Sequence, residues 1–189
     1  MLARLIPTAI FRAHWKALSN YTTQPVKPDY GARLVVGLAP IAAGVWAYFG
    51  HATLRSPEAY LAALAIFAGG MLAAFTHLAG VRQRLEERKD EWGDADAIDR
   101  DAVDETSAHL LVAAYTSGLA AAVLVVGLNL SEQPPEGPTA INGWFAAIAI
   151  TVMVHVLVVF LIAVPRLYSA YTSAFTVRDA LNGQHRGRG

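Results

Sequence analysis

Residues 143–164 read GWFAAIAITVMVHVLVVFLIAV, a stretch without a single Asp, Glu, Lys or Arg. An α-helix rises ~1.5 Å per residue, so a run of this length crosses the ~30 Å of hydrocarbon in a bilayer. A helix packed on a soluble core shows a polar face every 3.6 residues, and this run has none; lipid is the better solvent for it. Three more blocks share its character, at about 32–50, 58–80 and 108–130, and their charged residues fall only at the ends. The expected fold class is therefore all-α, a polytopic membrane protein of four transmembrane helices, flanked by interfacial helices at the N- and C-terminal ends.

The basic residues orient the spans. Arg4, Arg12, Lys16, Lys27 and Arg33 precede the end of the first entry into the bilayer, and only Arg55 lies in the first loop. Arg82, Arg84, Arg88, Lys89 and Arg100 crowd the second loop, the third has none, and Arg166, Arg178, Arg186 and Arg188 follow span four. Lys and Arg stay on the cytoplasmic side, so this alternation predicts that both termini are cytoplasmic. Abundant Ala and an excess of Arg over Lys point to a GC-rich bacterial genome. The expected location is the bacterial cytoplasmic (inner) membrane, crossed several times. The segment Leu5–Phe11 is too short for a signal peptide and leads to no small-residue cleavage site, so the N-terminus is expected to be kept.

Three regions follow. Residues 1–29 form a cytoplasmic interfacial helix and linker, 30–165 the four-helix bundle with a cytoplasmic loop at 81–107, and 166–189 a cytoplasmic helix and tail. In residues 2–18, Arg4, Thr8, Arg12 and Lys16 recur every fourth position, opposite Leu2, Leu5, Ile6, Ile10, Ala13 and Ala17. That pattern predicts a helix lying in the membrane surface, with Arg4, Arg12, Lys16 and Trp15 toward the headgroups, as an anchor or as a sensor or plug. Pro28, Asp29 and Tyr30 mark the start of span one, Ser56, Pro57 and Glu58 the start of span two, and Pro40 predicts a kink. After Pro165 and Arg166, the recurrence of Leu167, Tyr171, Ala174 and Phe175 predicts a C-terminal helix ending near Gly183.

Two rows of small residues match in depth: Ala65, Gly69 and Ala73 on span two, and Ala114, Gly118 and Ala122 on span three. Small residues let helix backbones approach in lipid, so the rows predict an intramolecular seam or, alternatively, a contact with another subunit. The 82–105 segment holds most of the fifteen acidic residues without the spacing of a calcium loop. Helical extensions of spans two and three meeting near Trp92 and Gly93 are the expected form, with a basic cytoplasmic partner as a docking candidate.

Polar groups within apolar spans are the places to look for function. His77, His109 and His155 qualify, with Thr151 on the face of His155 and Glu105 one turn before His109. His155 lies roughly 14 Å from the cytoplasmic end of span four, while His77 and His109 lie near the surface. Interhelical hydrogen bonding is the ordinary role for His155, and a pore or proton-sensitive position the functional one. Glu105 with His109 reads as a helix-end ion pair; with His77 it gives an incomplete start to a metal site, so no metal, cofactor or catalytic residue is assigned. The sequence carries no nucleophile motif, dinucleotide fingerprint or phosphate loop, and its zero net charge gives no electrostatic reason to expect nucleic acid.

In size, span number and placement of both ends, the chain resembles the small four-span membrane subunits of bacterial phage-defence systems, such as the Kiwa-type membrane component. The resemblance implies a complex-forming membrane sensor or effector and not a catalyst. The expected function is thus non-enzymatic: self-association as a homo-oligomer or docking of a cytoplasmic protein partner, perturbing the lipid bilayer when triggered. A small channel or transporter subunit, and a membrane enzyme or metal protein built on His77, His109 and Glu105, are the alternatives.

Overall fold

The computed structural model describes residues 7–20, 27–87, 97–130 and 139–174. Among them are five α-helices, α1 Thr8–Ala17, α2 Tyr30–Phe49, α3 Pro57–Glu87, α4 Ala97–Leu130 and α5 Gly143–Ala174. Helices α2 to α5 each contain a segment long and apolar enough to cross a membrane. Two short antiparallel pairs tie the connections: β1 Ser19–Asn20 with β2 Lys27–Pro28, and β3 Leu54–Arg55 with β4 Ala140–Ile141. The second pair joins the α2–α3 connection to the α4–α5 connection at the end of the bundle opposite α1.

The start signals act locally. Asp29 caps α2, its carboxylate accepting from the Ala32 backbone N–H at 3.0 Å. Ser56 takes a left-handed backbone (φ 58°) immediately before Pro57, and its carbonyl accepts from the Ala59 N–H at 3.0 Å. Glu58 does more than face the helix dipole: it accepts a 2.5 Å hydrogen bond from Thr139 Oγ1, bracing β4 against the start of α3.

Helix α4 is the centre, packing against α3, α5 and α1, while α2 leans mainly on α5. Half of the α4 candidate span is buried, more than in any of the other three spans. One core cluster joins Met71, Leu78, Val81 and Leu85 of α3 to Leu110, Ala113 and Ala114 of α4 and Val159 and Ala163 of α5. A second gathers Leu64, Ala120, Leu124, Ala146 and Ala149 beside Leu54 and Ile141 of the β3–β4 pair.

The small-residue rows do not form the α3–α4 seam. Ala65, Gly69 and Ala73 are exposed, as are Gly118 and Ala122, and a Cβ added at Gly69 or Gly118 would meet nothing within 4 Å; of the six, Ala114 alone is buried. The seam on α3 instead follows Leu64, Met71, Leu78 and Leu85 at seven-residue spacing, a stripe that starts about 100° round the helix from Ala65. Large side chains fill this interface by dispersion, which in lipid replaces the hydrophobic drive.

Two other boundaries move. Helix α5 continues through Pro165 to Ala174, so the C-terminal helix prolongs the span without a break; Phe175, Gly183 and the tail lie outside the described residues. The segment expected as a loop at 81–107 is helical on both sides, α3 reaching Glu87 and α4 starting at Ala97, while Trp92 and Gly93 lie outside the described residues. Arg82 braces these extensions, bonding Glu86 on its own helix at 2.6 Å and Asp104 of α4 at 3.1 Å.

Candidate functional site

The site begins with a glycine. Where α2 crosses α5, a Cβ at Gly44 would stand 1.9 Å from Thr151 Oγ1 and 3.2 Å from the Ala147 carbonyl oxygen. The backbones therefore touch where only a hydrogen atom fits. This crossing holds α2 on α5 and leaves a gap between α2 and α4. Helix α1 fills part of that gap.

Contacts with α2 and α4 seat α1. Phe11 packs edge-on against Tyr115 of α4, with ring centroids 5.8 Å apart. On the other side the Arg33 guanidinium of α2 stands 5.4 Å from the Trp15 ring centre, and its Nε donates to the Leu18 carbonyl at 3.1 Å. Between them His14 meets His109, Nδ1 to Nδ1 at 2.6 Å, with the rings nearly perpendicular. The rings are 3% and 0% exposed. The face of α1 that docks thus runs through Phe11, His14 and Leu18. It shares Ala17 with the side that the apolar pattern favoured, but Ala13 of that side is exposed and His14 is buried in its stead.

Proton bookkeeping limits what this pair can hold. With both rings neutral, one Nδ1 carries the shared proton, leaving one Nε2 as a lone pair and the other as an N–H. Both Nε2 atoms are buried and have no hydrogen-bond partner among the described residues. A proton added to the pair would convert the lone pair to a second unmet donor. Burial, with smaller contributions from His155 and Arg166, lowers the His14 pKa to about 4, so the seated ring is neutral at pH 7.

The neighbouring polar residues complete the region. His155 of α5 lines the same groove as Val36 of α2. Thr151 donates to the Ala147 carbonyl of its own helix at 2.8 Å. Glu105 pairs with Arg166 of α5, so the expected Glu105–His109 ion pair gives way to one that ties α4 to α5. His77 is exposed and stands apart from His109. The trio of His77, His109 and Glu105, on which the alternative enzyme or metal reading rests, is therefore not brought together. Among the described residues no group of three or more His, Asp or Glu is placed to hold a metal ion.

Of the surface residues assigned to headgroups, Arg12, Trp15 and Lys16 are exposed on α1, and Arg4 lies outside the described residues. No family model, curated protein or solved structure matches the chain. Its function must be read from this geometry. His14, Arg33 and Arg166 are the residues that sequence reasoning missed. The signal available was the i, i+3, i+7 row Phe11, His14 and Leu18, which counts as apolar only if His14 is neutral.

Proposed function

We propose that this chain is a non-enzymatic, multi-pass protein of the bacterial inner membrane, with both ends cytoplasmic, in which α1 is a plug seated between α2 and α4. It works by association and release, not by catalysis. The observation that carries this reading is the buried His14–His109 contact, which inserts the N-terminal helix into the bundle where an anchor would lie on the surface. A segment held mainly by one face, with a polar contact at its centre, is a two-state element that a trigger can bias. The helical extensions carry exposed Glu86, Glu87, Asp101 and Asp104, a surface suited to a basic cytoplasmic partner or to a second copy of the chain. A membrane-perturbing sensor or effector of a defence system accords with this arrangement.

The absence of Cys simplifies the test. With Phe11→Cys and Tyr115→Cys joined by a short bis-maleimide, α1 is locked on α4. In liposomes the locked protein is expected to keep a dye inside under every trigger, while His14→Lys, which places a fixed positive charge beside His109 and near His155 and Arg166, is expected to raise leakage. Equal leakage from locked and unlocked protein refutes a plug. A channel or transporter subunit is the second reading, favoured by the position of Thr151 and His155 along one groove; ion flux abolished by His155→Ala with α1 locked would select it.

A further inference from the structure

Helix α1 fills only part of the gap between α2 and α4. The remainder is an open groove of about 680 Å³, within the ~300–1,000 Å³ range of ligand sites. Val36, Pro40 and Ile41 of α2, Leu119 of α4 and Val152 of α5 supply its apolar walls. Ile41 and Leu119 are themselves exposed, so in a bilayer the groove opens on lipid and takes its occupant from there.

The polar groups along it select a charge. Arg12, His14, His155, Thr116 and Thr151 line the groove, and among the described residues no carboxylate does. The two hydroxyl protons are engaged within their own helices, Thr116 with the Val112 carbonyl at 2.7 Å and Thr151 with the Ala147 carbonyl at 2.8 Å. Among the described residues the fixed charge lining the groove is then the exposed Arg12 guanidinium, and the buried His14 Nε2 has no hydrogen-bond partner. An apolar trough with a cation and no acid complements an amphiphile with an anionic head. We propose that the groove holds one acyl chain of an anionic phospholipid from the surrounding leaflet, its phosphate paired with Arg12. Gly37 fits this role: it lines the groove, and a Cβ there would meet nothing within 4 Å. Its missing side chain leaves room for the chain and not for a neighbouring helix. The assignment is to the seated state, in which Phe11, Arg12 and Trp15 of α1 line the groove, and it does not require that α1 ever be released.

The test uses the full chain in phosphatidylcholine nanodiscs carrying a trace of a lipid with a photoactivatable acyl chain. The probe is phosphatidylglycerol in one sample and phosphatidylcholine in the other, and cross-linked residues are mapped by peptide mass spectrometry. Labelling at residues 36–41 and 116–119 is expected to be at least fivefold stronger with phosphatidylglycerol. Arg12→Gln is expected to equalise the two lipids, and Gly37→Phe to remove labelling by both with an unchanged circular dichroism spectrum. Equal labelling of the native chain by both lipids overturns the proposal. So does a phosphatidylglycerol preference that survives Arg12→Gln, a surface change that leaves the fold intact even if Gly37→Phe does not.

Discussion

Acidification should unseat α1, and the size of the effect follows from His14. An exposed histidine titrates near 6.5, whereas the seated ring is lowered to about 4. Above 6.5 the ring is neutral in both states and pH has no effect on docking. Between those values the released helix binds a proton that the seated one refuses, so docking weakens as pH falls, reaching its full penalty below about 4. At pH 5 the difference is about 2 kcal/mol, roughly 30-fold in the seated-to-released ratio. The charged groups around the ring do not offset it. His109 on α4, His155 and Arg166 on α5, Arg33 on α2, and Arg12 and Lys16 on α1 are neutral or cationic, and the nearby carboxylate, Glu105, is paired with Arg166. Hydrogen exchange reads this directly, because protection of the α1 amides reports the free energy of opening even when the open state is rare. After correction for intrinsic rates, protection at residues 12–17 should fall about 30-fold from pH 7.5 to pH 5, while the α3 amides at 78–85 stay constant. Unchanged α1 protection, or an equal fall in His14→Gln, would show that this ring does not govern docking.

Other substitutions probe the frame. Gly44→Ala should cost about 1–3 kcal/mol by overpacking the α2–α5 crossing, and Thr151→Ala should recover part of it, read as thermal unfolding in detergent. Glu105→Gln leaves Arg166 without its carboxylate; as the two side chains are 14% and 26% exposed, the loss should be about 2 kcal/mol, below the ~3–5 of a fully buried pair. The double variant Glu105→Gln with Arg166→Gln should lose less than the two single losses combined. Arg82→Ala, at an exposed pair, should shift stability by less than ~1 kcal/mol. Gly69→Leu and Gly118→Leu should leave the monomer's unfolding unchanged, and a drop in particle mass by light scattering would reveal that the small-residue rows face another subunit.

The four apolar blocks and the starts of α2 and α3 were legible in the sequence because they depend on local chemistry. Backbone groups in hydrocarbon must bond within their own helix, Asp29 caps within three residues, and a run of Val, Ile, Leu and Ala needs no distant partner to declare its solvent. Which faces meet is not local. Ala65, Gly69 and Ala73 have the spacing of a seam, yet the Leu64, Met71, Leu78 and Leu85 stripe is used, because packing depends on the shape of α4 and α5 as well as of α3. The same holds for histidine. His14 in an amphipathic N-terminal helix has no reason to be buried until His109, 95 positions away, supplies a partner, and Glu105 turns from the histidine one turn along its own helix to Arg166 on another. A glycine at position 44 and a proton shared between two rings decided where α1 sits, since close approach and hydrogen bonding act over a few ångströms that only the folded chain brings about.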